Sequence, residues 1–315
     1  MNKRRSFITG IKSTSLSNKE KNFLIKYRPW GIILFSRNIK NLNQIKKLTK
    51  DIKKLFNDNK YPILIDQEGG RINRLKKFID TRIFSGEYFG NLYKRDKKKF
   101  NFNYGIFIKS TSNILNDIGV NINTVPVLDL RKKSSSSVIG DRSFSSNPSI
   151  VSKIGDFCIK IFSKQKIGTV IKHIPGHGLA RVDSHKLTPT VYAKEKFLFK
   201  NDFNCFKKKN CLFSMTAHII YKDIDPINTA THSAIIIKLI RNRLGFKNII
   251  ISDDISMKSL KFSLKINTKK AFTAGCNLVL HCNANYKEMK IVANNSPLID
   301  PFILKKTSQF YKFLS

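Results

Sequence analysis

Residues 249–254 read Ile-Ile-Ile-Ser-Asp-Asp. Three consecutive β-branched residues carry no polar alternation, so they suit a strand covered on both sides rather than one with a wet face. The carboxylates then emerge where the buried strand ends. The same pattern recurs along the chain, at Phe7–Ile11, Gly31–Phe35, Pro62–Ile65, Ile122–Leu128, Thr169–Ile171, Leu212–Thr216 and Asn277–Leu280. Helical patterns intervene, among them Asn43–Phe56, Phe102–Ile118, Ser149–Lys164, Ser233–Leu244 and Tyr286–Val292. Strand–helix alternation repeated eight times predicts an α/β protein with a (β/α)8 architecture, the TIM barrel, as one domain over residues 1–315. The competing doubly wound sheet would place G-x-G-x-x-G after its first strand, and none is there. In a parallel barrel all strand C-termini open on one face, and catalytic groups gather there.

Composition sets outer bounds. A chain of 315 residues with 41% hydrophobic residues and 24 Phe is long enough for a large core and too apolar for disorder. No apolar run approaches the roughly 20 residues of a membrane span. The N-terminus carries basic residues, but Gly10 and Lys12 interrupt its apolar stretch, so a strand is expected there rather than a signal peptide, and a cytoplasmic enzyme follows. Five scattered Cys, with no C-x-x-C pair, indicate neither a disulfide framework nor a zinc site.

The formal charge of +38 invites a nucleic-acid reading. Yet Lys is spread over nearly every predicted helix, for example at Lys46-Lys47, Lys53-Lys54 and Lys207-Lys208-Lys209, without interleaved aromatics. A solvated surface explains that distribution, so no specific nucleic-acid partner is expected, only weak polyanion adhesion at low salt. Acids are scarce, 21 in all. Asp66, Glu68, Asp129, Asp141, Asp183, Asp253 and Asp254 fall at predicted strand ends or in the following loops.

Three blocks at such strand ends carry chemistry. In Ser252-Asp253-Asp254 a carboxylate could attack an electrophilic carbon, although an N-cap explains the same residues without chemistry. Lys172-His173-Ile174-Pro175-Gly176-His177-Gly178 ends a strand and opens a loop that reaches Asp183-Ser184-His185. Asp183 could orient the His185 imidazole for proton transfer, and the plain alternative is a solvated loop His beside a chance neighbour. His173, His177, Asp183 and His185 include residue types that bind zinc, but their spacing matches no H-E-x-x-H motif, so no metal is expected. Ile65-Asp66-Gln67-Glu68-Gly69-Gly70-Arg71 offers Asp66 for paired sugar hydroxyls, with Arg74 one helical turn after Gly70; its glycines alone would suit a tight turn.

Together these segments resemble glycoside hydrolase family 3, and within it the single-domain bacterial β-N-acetylglucosaminidases of cell-wall recycling. The matching stretches are 31–38 (GIILFSRN), 65–75 (IDQEGGRINRL), 138–144 (VIGDRSF), 172–189 (KHIPGHGLARVDSHKLTP), 215–221 (MTAHIIY), 251–257 (ISDDISM) and 274–283 (AGCNLVLHCN). The resemblance implies a TIM barrel, retention of anomeric configuration and no metal or organic cofactor. It implies Asp253 as the nucleophile and His185, paired with Asp183, as the general acid/base on a mobile loop. It implies that Asp66, Arg74, Arg142, Lys172 and His173 grip the non-reducing N-acetylglucosamine. The implied substrates are N-acetylglucosaminyl-anhydro-N-acetylmuramic acid peptides, cleaved by a monomer. Ile174 stands where the family usually has Phe, Trp30 where a small residue is more common, and the positive charge is atypical.

Two other enzymes and one binding protein compete. Another family 3 β-glycosidase, such as a β-glucosidase, would often draw its acid/base from a second domain, whereas this chain has the D-S-H loop. A phosphorylase would use phosphate in place of water. A basic polyanion-binding protein on a retired barrel would have lost Asp253 or His185, and both are present.

Overall fold

The stretch 249–254 forms one strand of a closed barrel, its three isoleucines buried and its two carboxylates at the partly exposed end. The computed structural model describes residues 3–132, 137–180, 182–184 and 187–315. Its strands are β1 (Arg5–Gly10), β2 (Pro29–Leu34), β3 (Ile63–Ile65), β4 (Ile122–Asn123), β5 (Gly168–Ile174), β6 (Thr190–Val191), β7 (Phe213–Thr216), β8 (Ile220–Tyr221), β9 (Ile249–Asp254) and β10 (Leu278–His281). Eight of them close a barrel in the order β1-β2-β3-β4-β5-β7-β9-β10, every neighbouring pair parallel. This is the (β/α)8 TIM barrel expected from the alternation.

Helices connect the strands on the outside. They are α1 (Asn18–Tyr27), α2 (Leu42–Leu55), α3 (Gly86–Arg95), α4 (Lys97–Asp117), α5 (Pro148–Lys164), α6 (Glu195–Lys200), α7 (Ala234–Asn242), α8 (Leu264–Ala274), α9 (Tyr286–Asn295) and α10 (Pro301–Leu314). In α2, Ile45, Leu48, Thr49 and Ile52 face the sheet at helical spacing while Lys47, Lys50 and Lys54 are exposed. That arrangement puts basic residues in water without disturbing the core. Among the described residues no helix is long and apolar enough to cross a membrane.

Some elements depart from the sequence reading. Regular pairing of β4 ends at Asn123 and resumes only as a single parallel bridge of Val127 with Lys172, instead of running unbroken to Leu128. The Asn123 side chain turns to the backbone of Gln67, and Pro126 has no N–H to donate. The small parallel pair of β6 and β8 was not anticipated, because two residues each are too few to show a period. Nor was α1 singled out: its residues are mostly polar, and its signature is the capping box of Ser17 and Glu20.

Strand side chains alternate between two layers, except at Trp30, which shares the inner layer with Ile33 where the register of β1 against β2 shifts. Phe7, Ile32, Ile63, Ile65, Ile171, Ile250 and Val279 pack against helices. Ile8, Trp30, Ile33, Leu64, Ile122, Val170, Phe213, Ile249, Ile251 and Leu278 fill the barrel, joined by Ile303 and Phe310 of α10. Helix α10 thus plugs the end where the strands begin. The Trp30 indole N–H donates to Thr307 Oγ1 at 2.9 Å, and Phe310 meets Phe213 edge to face. A Cβ at Gly168 would lie 2.9 Å from the Phe310 ring, so the plug requires glycine there. The opposite end stays open for polar groups.

Candidate active site

At that open end, β3 delivers Asp66 and Glu68, and β5 delivers Lys172. The Lys172 ammonium lies 3.1 Å from Asp66 Oδ1, 2.6 Å from Glu68 Oε1 and 2.9 Å from Thr124 Oγ1, and its side chain is only 3% exposed. Arg74 Nη2 reaches Asp66 Oδ2 at 3.1 Å. The Thr124 hydroxyl also donates to Asp66. Arg142 grips Glu68 with two parallel hydrogen bonds of 2.8 Å each, the fork geometry that suits a carboxylate. Buried charges survive only when paired in this way.

Burial opposes ionisation of both acids, and the cations outweigh it. Lys172 and Arg74 hold the Asp66 carboxyl well below the usual carboxylate range. Arg142 and Lys172 hold Glu68 at about 2. Burial would likewise strip the proton from Lys172, but Asp66 and Glu68 raise its affinity for it. Asp66, Glu68, Lys172 and Arg142 are therefore charged near neutral pH, and the site opens with a fixed set of donors and acceptors.

Arg74 does not stand on a helix, contrary to expectation. Residues 74–78 form turns, and Gln67 positions them: its Oε1 accepts from the backbone N–H groups of Arg74 at 2.9 Å and Leu75 at 3.1 Å. Arg142 reaches the site from a turn held by Arg71, whose Nε donates to Asp141 Oδ1 at 2.8 Å.

Each member of Ser252-Asp253-Asp254 has its own task. The Ser252 hydroxyl accepts from the Leu280 N–H at 3.0 Å, tying β9 to β10. Asp254 Oδ1 accepts from the N–H and hydroxyl of Ser256 and the N–H of Cys282, holding a turn, whereas the expected helix N-cap is not formed by this motif: α8 is capped by Ser263. Asp253 faces the mouth, its side chain 21% exposed, with Oδ2 3.9 Å from His173 Nε2 and Oδ1 accepting its neighbour's N–H at 2.7 Å. Burial raises the affinity of this carboxyl for a proton, but His173 and His218 prevail and keep it below the usual range. The two adjacent carboxylates thus have different surroundings: Asp254 holds a turn and Asp253 lies at the mouth.

His173 is oriented by a carboxylate that the sequence reading noted without assigning it a task. Asp129 is fully buried and takes the His173 Nδ1–H at 2.6 Å, the His173 N–H at 3.2 Å and the His177 N–H at 2.6 Å. Lys172 and His173, adjacent in sequence, both serve the mouth because the register of β5 against β7 shifts between Lys172 and Ile174. His218 was missed too, although it lies in the quoted stretch 215–221. Its Nδ1 meets Thr231 Oγ1 at 2.6 Å and its Nε2 meets the Asp254 carbonyl at 3.0 Å. A single buried His after an apolar strand was the available signal.

The loop after β5 begins with close contacts. A Cβ at Gly178 would come within 2.6 Å of both Asp202 Oδ1 and the Leu130 carbonyl, so only glycine fits. Asp183 is half-buried, its carbonyl accepting from the Leu187 N–H at 3.0 Å. Ser184 Oγ lies 3.1 Å from His177 Nε2. His185, the expected acid/base, lies outside the described residues. Among the described residues no group of three or more His, Cys, Asp or Glu is arranged to hold a metal ion. The structure therefore brings Asp66, Arg74, Arg142, Lys172, His173 and Asp253 to one face, with Asp183 on the adjoining loop.

Such a face, with a free carboxylate beside fixed ion pairs, can bind a polyhydroxylated ring and attack it. Residues 8–302 match the family model of the glycosyl hydrolase family 3 N-terminal domain. The chain is 31% identical over 316 residues to the beta-hexosaminidase of Psychromonas ingrahamii, across 98% of this chain and 89% of that one. It is 29% identical over 305 residues to the beta-hexosaminidase of Thioalkalivibrio sulfidiphilus, across 96% and 87%. Among solved structures, NagZ from Neisseria gonorrhoeae in complex with N-trifluoroacetyl-D-glucosamine is similar with a TM-score of 0.87 at 28% identity, covering 99% of this chain and 90% of that one.

Proposed function

The chain belongs to glycosyl hydrolase family 3, and from that membership and the geometry of the mouth we propose that it is a retaining β-N-acetylglucosaminidase. Its substrates are muropeptides with a terminal, non-reducing β-linked N-acetylglucosamine, foremost the disaccharide with anhydro-N-acetylmuramic acid, and it acts as a cytoplasmic monomer in cell-wall recycling. The observation that carries the reading is the ionised Asp253 carboxylate at the mouth, beside His173 and within reach of the charge on Lys172.

In the first step an Asp253 oxygen bonds to the anomeric carbon as the glycosidic C–O bond breaks. His185, paired with Asp183, gives its proton to the departing oxygen. In the second step water attacks the same carbon, His185 takes the water's proton, and the Asp253 ester bond breaks. Two inversions give net retention. A His acid/base suits operation near neutral pH better than an unperturbed carboxylic acid. Asp66, Arg74, Arg142, Lys172 and His173 hold the sugar, pre-organised by the ion pairs of Asp66 with Arg74 and Lys172, of Arg142 with Glu68 and of His173 with Asp129.

The test is turnover of 4-nitrophenyl β-N-acetylglucosaminide and 4-nitrophenyl β-glucoside, with and without phosphate, by wild type, Asp253→Ala and His185→Ala. Wild type should cleave the first substrate without needing phosphate. Asp253→Ala should lose about 10⁴-fold or more in kcat, roughly 5 kcal/mol of barrel-mouth catalysis. A folded wild type inert toward both substrates would overturn the reading. Turnover that required phosphate would change the acceptor and keep the nucleophile.

A further inference from the structure

The acid/base loop needs something to hold it, and His177 is placed to do so. Its imidazole is buried at 3% exposure, and Ser184, its hydrogen-bond partner, at 4%. The contact, 3.1 Å between His177 Nε2 and Ser184 Oγ, joins the start of the loop to the residue between Asp183 and His185. His177 is itself fixed twice. Its N–H donates to Asp129 Oδ1 at 2.6 Å, and its ring meets that of His173 edge to face, centroids 5.7 Å apart.

A continuous line of contacts therefore runs from Asp253 to His173 (3.9 Å), to Asp129 (2.6 Å), to His177 (2.6 Å) and to Ser184 (3.1 Å). We infer that His177 is a positioning residue for the reaction, holding Ser184 and thereby the Asp183–His185 pair in register with the nucleophile. This rests on the acid/base assignment proposed above. Ser184 stands between Asp183 and His185 in the chain, so a restraint on its backbone limits the freedom of both neighbours. Burial keeps the His177 imidazole neutral, with its proton affinity lowered to about 4, so the hydrogen bond is unchanged across the pH range where the enzyme would work. A buried His in a packed turn needs no link to the loop, and a purely structural His177 would not distinguish between substrates.

Leaving groups separate the two cases. The 4-nitrophenolate anion departs without a proton, whereas a sugar oxygen needs one, and kcat/KM reports the first bond-breaking step. In Ser184→Ala, which removes one hydroxyl, kcat/KM should fall at least 30-fold for a β-1,4-linked disaccharide bearing non-reducing N-acetylglucosamine. For the 4-nitrophenyl glycoside it should change less than 3-fold. His177→Phe, which keeps the ring volume, should behave the same, and the double variant should be no worse than the poorer single variant. His177→Gln, which can still reach Ser184, should recover most of the disaccharide activity.

Equal losses on both substrates, additive losses in the double variant, or a wild-type Ser184→Ala would overturn the inference. His185→Ala provides the reference. If it shows no leaving-group dependence, the acid/base assignment has failed. If it does show one and Ser184→Ala does not, only the His177 inference has failed.

Discussion

Asp129 Oδ2 lies 2.6 Å from His173 Nδ1 in a fully buried pocket, and the opposite nitrogen of that ring points toward Asp253. The imidazole is thus aimed from behind by a carboxylate that itself stays ionised. Burial pushes the Asp129 carboxyl up, but His173 and His177 bring it below its ordinary value.

Asp129→Asn tests that aim. A carboxamide turns an acceptor into an N–H donor that must face the donors from His173 or His177, and one unpaired buried donor costs about 1–3 kcal/mol. We expect kcat/KM on the 4-nitrophenyl glycoside to fall about 100-fold, with a lower Tm. Wild-type kinetics in the variant would show that His173 needs no orienting partner.

Arg142→Lys keeps the charge and removes the fork that binds Glu68. Thermal melting should show a Tm lower by several degrees, and KM should rise about tenfold if Arg142 also touches the sugar. A lower Tm with unchanged KM would confine Arg142 to supporting Glu68.

Asp202 gives a pH-dependent prediction. Burial raises its carboxyl to about 6, against the pull of Lys132, and Asp129 adds to the rise. The unfolded chain ionises near 3.9. Between these values the folded state binds more protons, so stability is full below pH 4, falls as pH rises to 6, and is flat above. Asp202→Asn should therefore stabilise the protein at pH 8 by up to about 3 kcal/mol and leave it little changed at pH 4. Urea unfolding at the two pH values reads the difference, and an equal effect at both would refute the raised proton affinity.

Thr307→Val, far from the mouth, strands the Trp30 indole N–H at the plugged end of the barrel. The loss should be about 1–3 kcal/mol, or a few degrees in Tm, with kcat/KM unchanged. A drop in activity larger than twofold would mean that the plug and the mouth are mechanically coupled.

By itself the sequence determined the fold class and most of the mouth. Apolar β-branched runs ending in acids or in Lys-His can bury themselves only as covered parallel strands, and their ends must then meet on one face. That reasoning placed Asp66, Lys172, His173 and the Asp253-Asp254 pair at one face without coordinates. The D-S-H spacing suggested that Asp183 could orient His185, and the resemblance supplied their role and the role of Arg142, which no periodicity marks. Tertiary structure alone decided which acid of Asp253-Asp254 faces the mouth and which caps a turn, because a strand's last two residues point in opposite directions and only their neighbours select between them. It alone brought Asp129 beneath His173, and His177 to Ser184. Such contacts join residues 44 and seven positions apart through loop geometry that local sequence does not encode. The closing of the barrel by α10 is of the same kind: helical spacing shows an apolar face, and only the packed barrel shows what it covers.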